Sequence, residues 1–321
     1  MTARPYHNPR VGTPGRTRSA RYRALLALTL AAPTLTCHGQ DIEPRRWSHL
    51  PMGSNFIGGA YADTSGDIAF DPLLRIEDAG FELDTAAVKY IRSFELFGKS
   101  ARIDFLQAYQ SGDWSGILNG TPTTVEREGW SDSHLRFAVN LFGAPPLAGK
   151  EYAAYRARTG PETIIGAGLG VQLPTGEYLE DKLINLGSNR FTFRPQFGIV
   201  HNRGKWSLEL NTAIWIFTEN DEFFNGKQLE QDPLYTADAH LIYTFRPGLW
   251  LGASAGYGGG SETIVNRIPS DNQQSNFGWG LSLGIPINRQ LGCKVAYINT
   301  RTLTSTGPDS DTITGGFSLM W

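Results

Sequence analysis

Alternation of apolar and polar residues with a period of two runs through most of the chain beyond residue 54. Between Tyr235 and Phe245, the odd positions are apolar or aromatic and most even positions are polar. Because successive side chains of a strand point to opposite faces, each such segment predicts a β-strand with one apolar and one polar face. Twelve strands are predicted, at 55–69, 82–94, 100–110, 133–142, 162–174, 189–200, 205–218, 235–246, 248–259, 275–287, 290–300 and 311–321.

The connections between these strands alternate in length. This alternation is typical of outer-membrane barrels, which have short turns on the periplasmic side and long loops on the extracellular side. Residues 143–161 are the exception, because a short turn is expected there and the segment 151–157 predicts a short helix. The short connections lie at 97–99, 202–204, 246–248 and 288–290, and the long ones at 70–81, 111–132, 175–188, 219–234, 260–274 and 301–310.

The polar face of the predicted strands carries too many charges for a dry protein core. The competing fold is a soluble β-sandwich or lipocalin-like barrel, with that face outside and the apolar face inside. Burying unpaired charges in a dry core is costly. The charges are better explained if their face lines a wet lumen and the apolar face meets lipid. We therefore predict an all-β fold, a transmembrane antiparallel β-barrel of about 12 strands. The inward charges are Lys89, Arg102, Asp104, Arg136, Arg194, Glu209, Asp238 and Lys294.

The last predicted strand ends on Trp321 after an alternating run. A terminal aromatic residue in this position resembles the assembly signal of outer-membrane barrels. It implies the barrel-assembly machinery as a partner, with outer-membrane lipid and lipopolysaccharide as the surroundings. The predicted location is the bacterial outer membrane.

The first 39 residues contain six arginines, no acidic residue and an apolar run at 24–35. A basic start, a short apolar stretch and a small residue at the cut predict a secretory signal peptide that ends at Gly39. A lipid anchor on Cys37 is disfavoured because Thr34 stands where leucine is preferred. The predicted divisions are a signal peptide at 1–39, a periplasmic N-terminal segment at 40–53 and the barrel at 54–321.

Charge and cysteine content exclude several classes of function. Without the six leader arginines, the chain has 23 basic against 31 acidic residues, a net charge of −8. Nucleic acid is therefore not an expected partner, since phosphate binding needs a basic surface. Cys293 is the only cysteine after the leader, so no internal disulfide forms. Nothing in the sequence implies a cofactor.

Several stretches resemble the outer-membrane family named for the MetA pathway of phenol degradation, whose members are often called transporters. The resemblance covers about residues 41–321. It implies a channel for small hydrophobic or aromatic compounds, distantly similar to the fatty-acid and toluene uptake barrels. Those barrels have a longer plug, so any plug here is the segment 40–53 or an inward-folded loop. The matching stretches are EPRRWSHLP at 43–51, VNLFGAP at 139–145, DKLINLGSNRFTFRPQ at 181–196, EQDPLY at 230–235, FRPGLW at 245–250 and SAGYG at 254–258.

Two groups of residues are candidates for ligand binding. In the segment 43–51, which precedes the first strand, four residues are predicted to reach into the lumen as a latch: Arg45, Arg46, Trp47 and His49. Cation and aromatic ring together suit an aromatic carboxylate or phenolate. The alternative is a tail that only caps the barrel. The second group is a basic track facing acidic groups, for which simple mutual pairing across the barrel is the favoured explanation. Its members are Arg102, Arg136, Arg194 and Lys294, opposite Asp104, Glu209, Asp238 and His240.

Two further motifs are better explained without chemistry. The acidic residues in loop 219–232 lack the spacing of a Ca²⁺ loop, so a solvated loop is favoured and no metal site is predicted. The run 252–256 matches G-x-S-x-G, but that motif needs a strand-to-helix turn and here continues as a strand. Some outer-membrane lipases are 12-stranded barrels with outward Ser and His, and no outward pair is found. We predict no catalytic residues and no enzyme.

The predicted function is passive uptake of small hydrophobic or aromatic compounds. The solute is expected to bind among loop aromatics, Trp114, Trp130, Phe223 and Phe224, and then to pass through a narrow lumen or a lateral gap. The alternative is a closed structural or adhesive barrel, in which paired charges leave no continuous water path.

Overall fold

A computed structural model describes residues 42–69, 76–158 and 160–321. Twelve antiparallel strands form a closed ring, because each pairs with its neighbours and the last strand pairs with the first. The prediction of an all-β barrel of about twelve strands is confirmed. The leader predicted at 1–39 lies outside the described residues.

Every predicted barrel strand has a counterpart in the ring. The strands in chain order are β1 (Asn55–Ala69), β2 (Ile76–Leu96), β3 (Lys99–Leu118), β4 (Thr121–Trp130), β5 (Ser133–Phe142), β6 (Glu162–Leu173), β7 (Thr192–Arg203), β8 (Trp206–Phe217), β9 (Asn220–Phe223), β10 (Lys227–Gln231), β11 (Leu234–Arg246), β12 (Leu249–Gly260), β13 (Thr263–Val265), β14 (Ile268–Pro269), β15 (Gln274–Pro286), β16 (Leu291–Thr302) and β17 (Gly307–Met320). The ring omits β4, β9, β10, β13 and β14.

One side of the wall extends far beyond the rest. β2 has 21 residues and β3 has 20, against 12 in each of β6, β7 and β8. The predicted loop 111–132 is wrong in part, because β3 continues into it and β4 pairs back along β3. Asn119 and Gly120 connect the two strands with φ of 51° and 79°. An Asn-Gly pair with positive φ is the preferred two-residue hairpin turn, and it was the signal for this hairpin.

A small outer sheet covers part of the extracellular end. It consists of β9, β10, β13 and β14, and its buried residues are Phe223, Phe224, Leu229 and Val265. Phe223 and Phe224 thus pack inside this cap and do not line a mouth. Trp114 is likewise buried, against Ile68 and Leu186, whereas Trp130 is 52% exposed. These four aromatic residues therefore do not form the binding site that the sequence predicted among the outer loops.

The connection 143–161 contains the predicted short helix, α1 (Gly149–Arg158). Among the described ranges, no helix is both long enough and apolar enough to cross a membrane.

The outer face of the barrel carries an apolar band between aromatic residues. On β11, Tyr235 and Tyr243 both face outward, and Tyr243 contacts the rings of Trp206 and Phe245 near the periplasmic rim. Eight residues of strand span about 27 Å before tilt, which fits the apolar band of about 25 Å in such barrels. The protein therefore lies in the bacterial outer membrane with its polar face inward.

Candidate functional site

Residues 42–54 lie inside the barrel, and we call them the inner belt. From the periplasmic rim beside β2, the inner belt passes the connection that holds α1 and then crosses β6, β7 and β8. It continues past β11 and β12 and returns to β16 and β2. The inner belt therefore contacts the wall on every side of the lumen.

Trp47 is the deepest anchor of the inner belt and is 2% exposed. Its ring lies against two glycines of the wall. A Cβ atom at Gly198 would be 1.9 Å from Trp47 Nε1, and one at Gly166 would be 2.2 Å from Trp47 Cε3. Trp47 Nε1 donates to Asn211 Oδ1 at 2.7 Å, and the Arg136 guanidinium lies 4.6 Å above the ring. The inward glycines thus provide the space that this side chain fills.

Arg45 turns the inner belt towards β8 and β11. Its φ of 70° lies in the left-handed region, and its backbone N–H donates to Glu209 Oε2 at 2.7 Å. The Arg45 side chain donates from Nη2 to Thr244 Oγ1 at 2.9 Å and lies 4.7 Å over the Trp250 ring. Backbone strain of this kind persists only where neighbouring contacts hold it, and Glu209 supplies the main one.

Glu43 closes the circuit of the inner belt by joining two strands. Its carboxylate accepts from Lys294 Nζ at 2.8 Å and from Lys89 Nζ at 3.2 Å. The positive charges of Lys294 and then Lys89 hold the pKa of Glu43 well below its ordinary value. This carboxylate is therefore ionised at neutral pH and bound from both sides.

His49 fastens the inner belt to the segment around α1. Its Nε2 donates to the carbonyl oxygen of Pro145 at 2.7 Å, and Tyr152 Oη donates to the backbone oxygen of His49 at 2.9 Å. The rings of Tyr152 and Tyr155 meet the imidazole edge-on at 4.9 Å and 5.4 Å. Burial lowers the pKa of His49. The neutral imidazole is therefore the form that fits this position.

The middle of the lumen concentrates arginines around few carboxylates. Arg136 Nη1 lies 3.0 Å from Asp104 Oδ2, and Arg102 Nε lies 3.4 Å from Asp104 Oδ1. Arg136 also donates from Nε to Gln196 Oε1 at 2.9 Å, and Arg46 Nη2 reaches the same oxygen at 3.4 Å. These ion pairs lie within β3 and between β3 and its neighbour β5, and do not cross the barrel as expected. More cations than anions meet here.

Arginine side chains in the outer half of the lumen stack on aromatic rings. Arg194 on β7 lies 4.3 Å over the ring of Trp215 on β8. Arg190, just before β7, lies 4.7 Å over the ring of Phe217. Together with Arg45 on Trp250 and Arg136 on Trp47, four guanidinium–aromatic pairs follow the lumen.

Asp238, His240 and Ser254 come together on β11 and β12, although the sequence match at 252–256 is better explained as accidental. His240 Nε2 donates to Asp238 Oδ2, and Ser254 Oγ donates to His240 Nδ1, each at 2.7 Å. These are the residue types of a hydrolytic triad. However, β12 pairs with β11 and β15 along the whole described segment around Ser254, so its backbone N–H groups are committed to the sheet. No oxyanion hole is formed there, and the trio ties β11 to β12.

The structure places all predicted candidates around the lumen. It brings Arg45 together with Glu209, and Trp47 with Arg136, which the sequence did not pair. Further residues of the site were missed, although their inward parity is readable from the same strands. They are Arg190, Thr192, Gln196, Asn211, Trp215, Phe217, Trp250 and Ser254.

Comparison with known proteins gives one sequence family and several solved barrels of similar fold. The sequence model of a family described as "Putative MetA-pathway of phenol degradation" matches residues 59–307. No curated protein sequence matches this chain. An outer membrane channel from Pseudomonas putida F1 has a TM-score of 0.72 at 18% identity, covering 88% of this chain and 100% of that chain. This likeness shows the fold.

Two other solved barrels are less similar. The transport unit of the autotransporter AIDA-I from Escherichia coli has a TM-score of 0.48 at 9% identity, covering 93% of this chain and 96% of that one. The CymD monoaromatic hydrocarbon channel has a TM-score of 0.44 at 6% identity, covering 91% and 94%.

Proposed function

Because the chain belongs to the family named for the MetA pathway of phenol degradation and folds as an outer-membrane barrel, we propose that it transfers small hydrophobic or aromatic compounds passively across the outer membrane. The observation that carries the proposal is the row of guanidinium–aromatic pairs facing the lumen. Guanidinium groups and aromatic rings that lie side by side both offer favourable contacts to an aromatic ring. A solute with an aromatic ring therefore packs against either member of such a pair.

The inner belt closes the lumen in the absence of solute. Its anchors, Trp47 and Glu43, attach to opposite parts of the wall, so release of either one opens only part of the circuit. Transfer requires the inner belt to move aside or to leave the lumen. No energy source is needed for this step, because each contact is a hydrogen bond, an ion pair or a ring contact of modest strength.

A closed structural barrel is the second candidate function. The observation that favours it is the pairing of Glu43 with two lysines and of Asp104 with two arginines, which places ion pairs inside the lumen. In such a barrel the inner belt is a permanent brace. The two candidates differ in whether a solute crosses.

Uptake in a Gram-negative host that lacks its general porins tests the proposal. We expect cells with this protein to accumulate labelled phenol and benzoate faster than cells without it, with no gain for a disaccharide of larger size. Trp47→Ala is expected to raise the rate further because it removes the deepest anchor. Trp206→Ala, an outward tryptophan on β8, is the matched control and leaves the rate unchanged. Equal accumulation in cells with and without the protein, for Trp47→Ala as well, overturns the proposal in favour of the structural barrel.

A further inference from the structure

Arg190 is a buried cation at the outer end of the lumen, with 2% of its surface exposed. Its Nη2 donates to the side-chain oxygen of Gln231 on β10, and its guanidinium stacks on Phe217. Its Nε and Nη1 have no hydrogen-bond partner among the residues that the structure describes. Burial lowers the pKa of Arg190 to about 10, so the group is still charged at neutral pH. A buried guanidinium with two unused donors is costly unless an acceptor fills the place.

The nearby carboxylate of Asp132 is already occupied. It accepts from the backbone N–H groups of Gly176 and Ser188 at 2.9 Å each. It also accepts from Ser188 Oγ at 2.5 Å and from Gln172 Nε2 at 2.8 Å. Four donors satisfy this charge locally, and within the described ranges no carboxylate forms an ion pair with Arg190.

Thr192 presents a second unused group on the same face. It is the first residue of β7 and follows Arg190 by two positions, over which an extended chain spans about 7 Å. Its hydroxyl is buried, with the residue 1% exposed, and has no hydrogen-bond partner in the described part of the chain. Thr192 also pairs in register with Phe217 on β8. A cation, a hydroxyl and an aromatic ring therefore meet at one place.

We propose that Arg190, Thr192 and the ring of Phe217 form a binding site for the carboxylate of a small organic acid, and that the solute is an aromatic carboxylate, a choice that rests on the proposed function. A carboxylate accepts two N–H donors side by side, which is the arrangement a guanidinium offers. The hydroxyl of Thr192 donates a further hydrogen bond, and the solute ring packs beside Phe217. The solute enters by displacing Gln231, whose amide also donates to Ser261 Oγ at 2.6 Å within the cap. Neutral phenols lack the charge that this site binds.

Calorimetric titration of the purified, folded barrel with sodium benzoate tests the site directly. Benzamide is the neutral probe of equal shape. We expect benzamide to bind at least about tenfold more weakly than benzoate, and Arg190→Gln to weaken benzoate by a similar factor while leaving benzamide unchanged. Arg190→Lys retains part of the affinity because it keeps the charge. Arg203→Gln, an exposed arginine at the other end of β7, is the matched control and binds benzoate as the unaltered protein does.

The outcomes separate this site from the proposed function. Equal binding of benzoate and benzamide, or unaltered benzoate binding by a folded Arg190→Gln barrel, overturns the site even if aromatic compounds still cross. Charge-dependent binding through Arg190, without faster uptake of either phenol or benzoate by cells, supports the site and overturns the transfer proposal. Retention of the heat-modifiable mobility of the folded barrel in electrophoresis shows that each variant is folded.

Discussion

The periplasmic and outer halves of the lumen obey the same polar-inward rule but differ in what their polar groups contact. In the periplasmic half, residues of the wall bind the inner belt, as Lys89 and Lys294 bind Glu43. In the outer half, Arg190 and Thr192 keep donors that no described residue accepts from. The periplasmic half thus binds a segment of its own chain. The outer half is where we propose that the carboxylate of a solute binds.

Removal of the inner belt is expected to have the largest effect on the periplasmic half. Deletion of residues 42–51 leaves β1 and the whole ring intact, so the barrel still folds. Planar-bilayer conductance should rise roughly fivefold or more, because a 12-stranded lumen is wider than the side-chain-filled lumen of an 8-stranded barrel. Unchanged conductance would show that the outer half, and not the inner belt, is the constriction.

A single methyl group on the wall is expected to dislodge the inner belt without altering it. Gly166→Ala places a Cβ atom 2.2 Å from Trp47 Cε3, and overpacking of this kind costs about 1–3 kcal/mol. Trypsin cleavage after Arg45 or Arg46 should then rise about tenfold. Gly170→Ala on the same strand is the control, because its nearest atom, Arg194 Cβ, is 3.4 Å away. Equal cleavage of both variants would contradict the role of Trp47 as anchor.

Acid is expected to loosen the inner belt by a smaller amount. Because burial lowers the pKa of His49, docking is favoured above its ordinary pKa of 6.5 and weakens as the pH falls below that value. Glu43, whose pKa is also lowered, adds a second loss only below its ordinary 4.5. Conductance should therefore increase as the pH is lowered from about 7.5 to about 5.5, the range where histidine titrates. His49→Gln keeps a donor for Pro145 and should abolish the dependence; persistence of the dependence in this variant assigns it to another group.

Weakening of the outer cap is expected to have the least effect on conductance. Leu229→Ala removes a buried side chain of the cluster with Phe223, Phe224 and Val265, at a cost of about 2–5 kcal/mol. Proteolysis within β9 and β10 should increase, whereas trypsin cleavage of the inner belt should not. A parallel increase at both places would show that the two halves are coupled.

Much of this fold was predictable from the sequence, because membrane barrels impose strict alternation on every strand. The alternation that marked Arg194 and Glu209 as inward also places Arg190 and Trp215 on the inward face. The inward residues of the outer half could therefore have been predicted. The hairpin of β3 and β4 was missed because Asn119 and Gly120 lie within a stretch read as loop. Strand register was not predictable, and it is register that brings His240 opposite Ser254.

The course of the inner belt was not predictable either. The sequence of residues 43–51 does not indicate which wall residues they contact, because those contacts join residues far apart in the chain. Trp47 and Asn211 are 164 positions apart, as are Arg45 and Glu209. Only the structure shows that the indole ring of Trp47 lies against Gly166 and Gly198.

The contact between Asn55 and Trp321 sets an order of events. These residues exchange both backbone hydrogen bonds, at 2.9 Å and 3.0 Å, where the first ring strand meets the twelfth. Until that seam forms, the sheet is an open ribbon with no interior. The inner belt starts beside the seam and needs walls on all sides, so it docks only after the ring has closed. Protection of Arg45 and Arg46 from trypsin therefore reports when insertion into the membrane is finished.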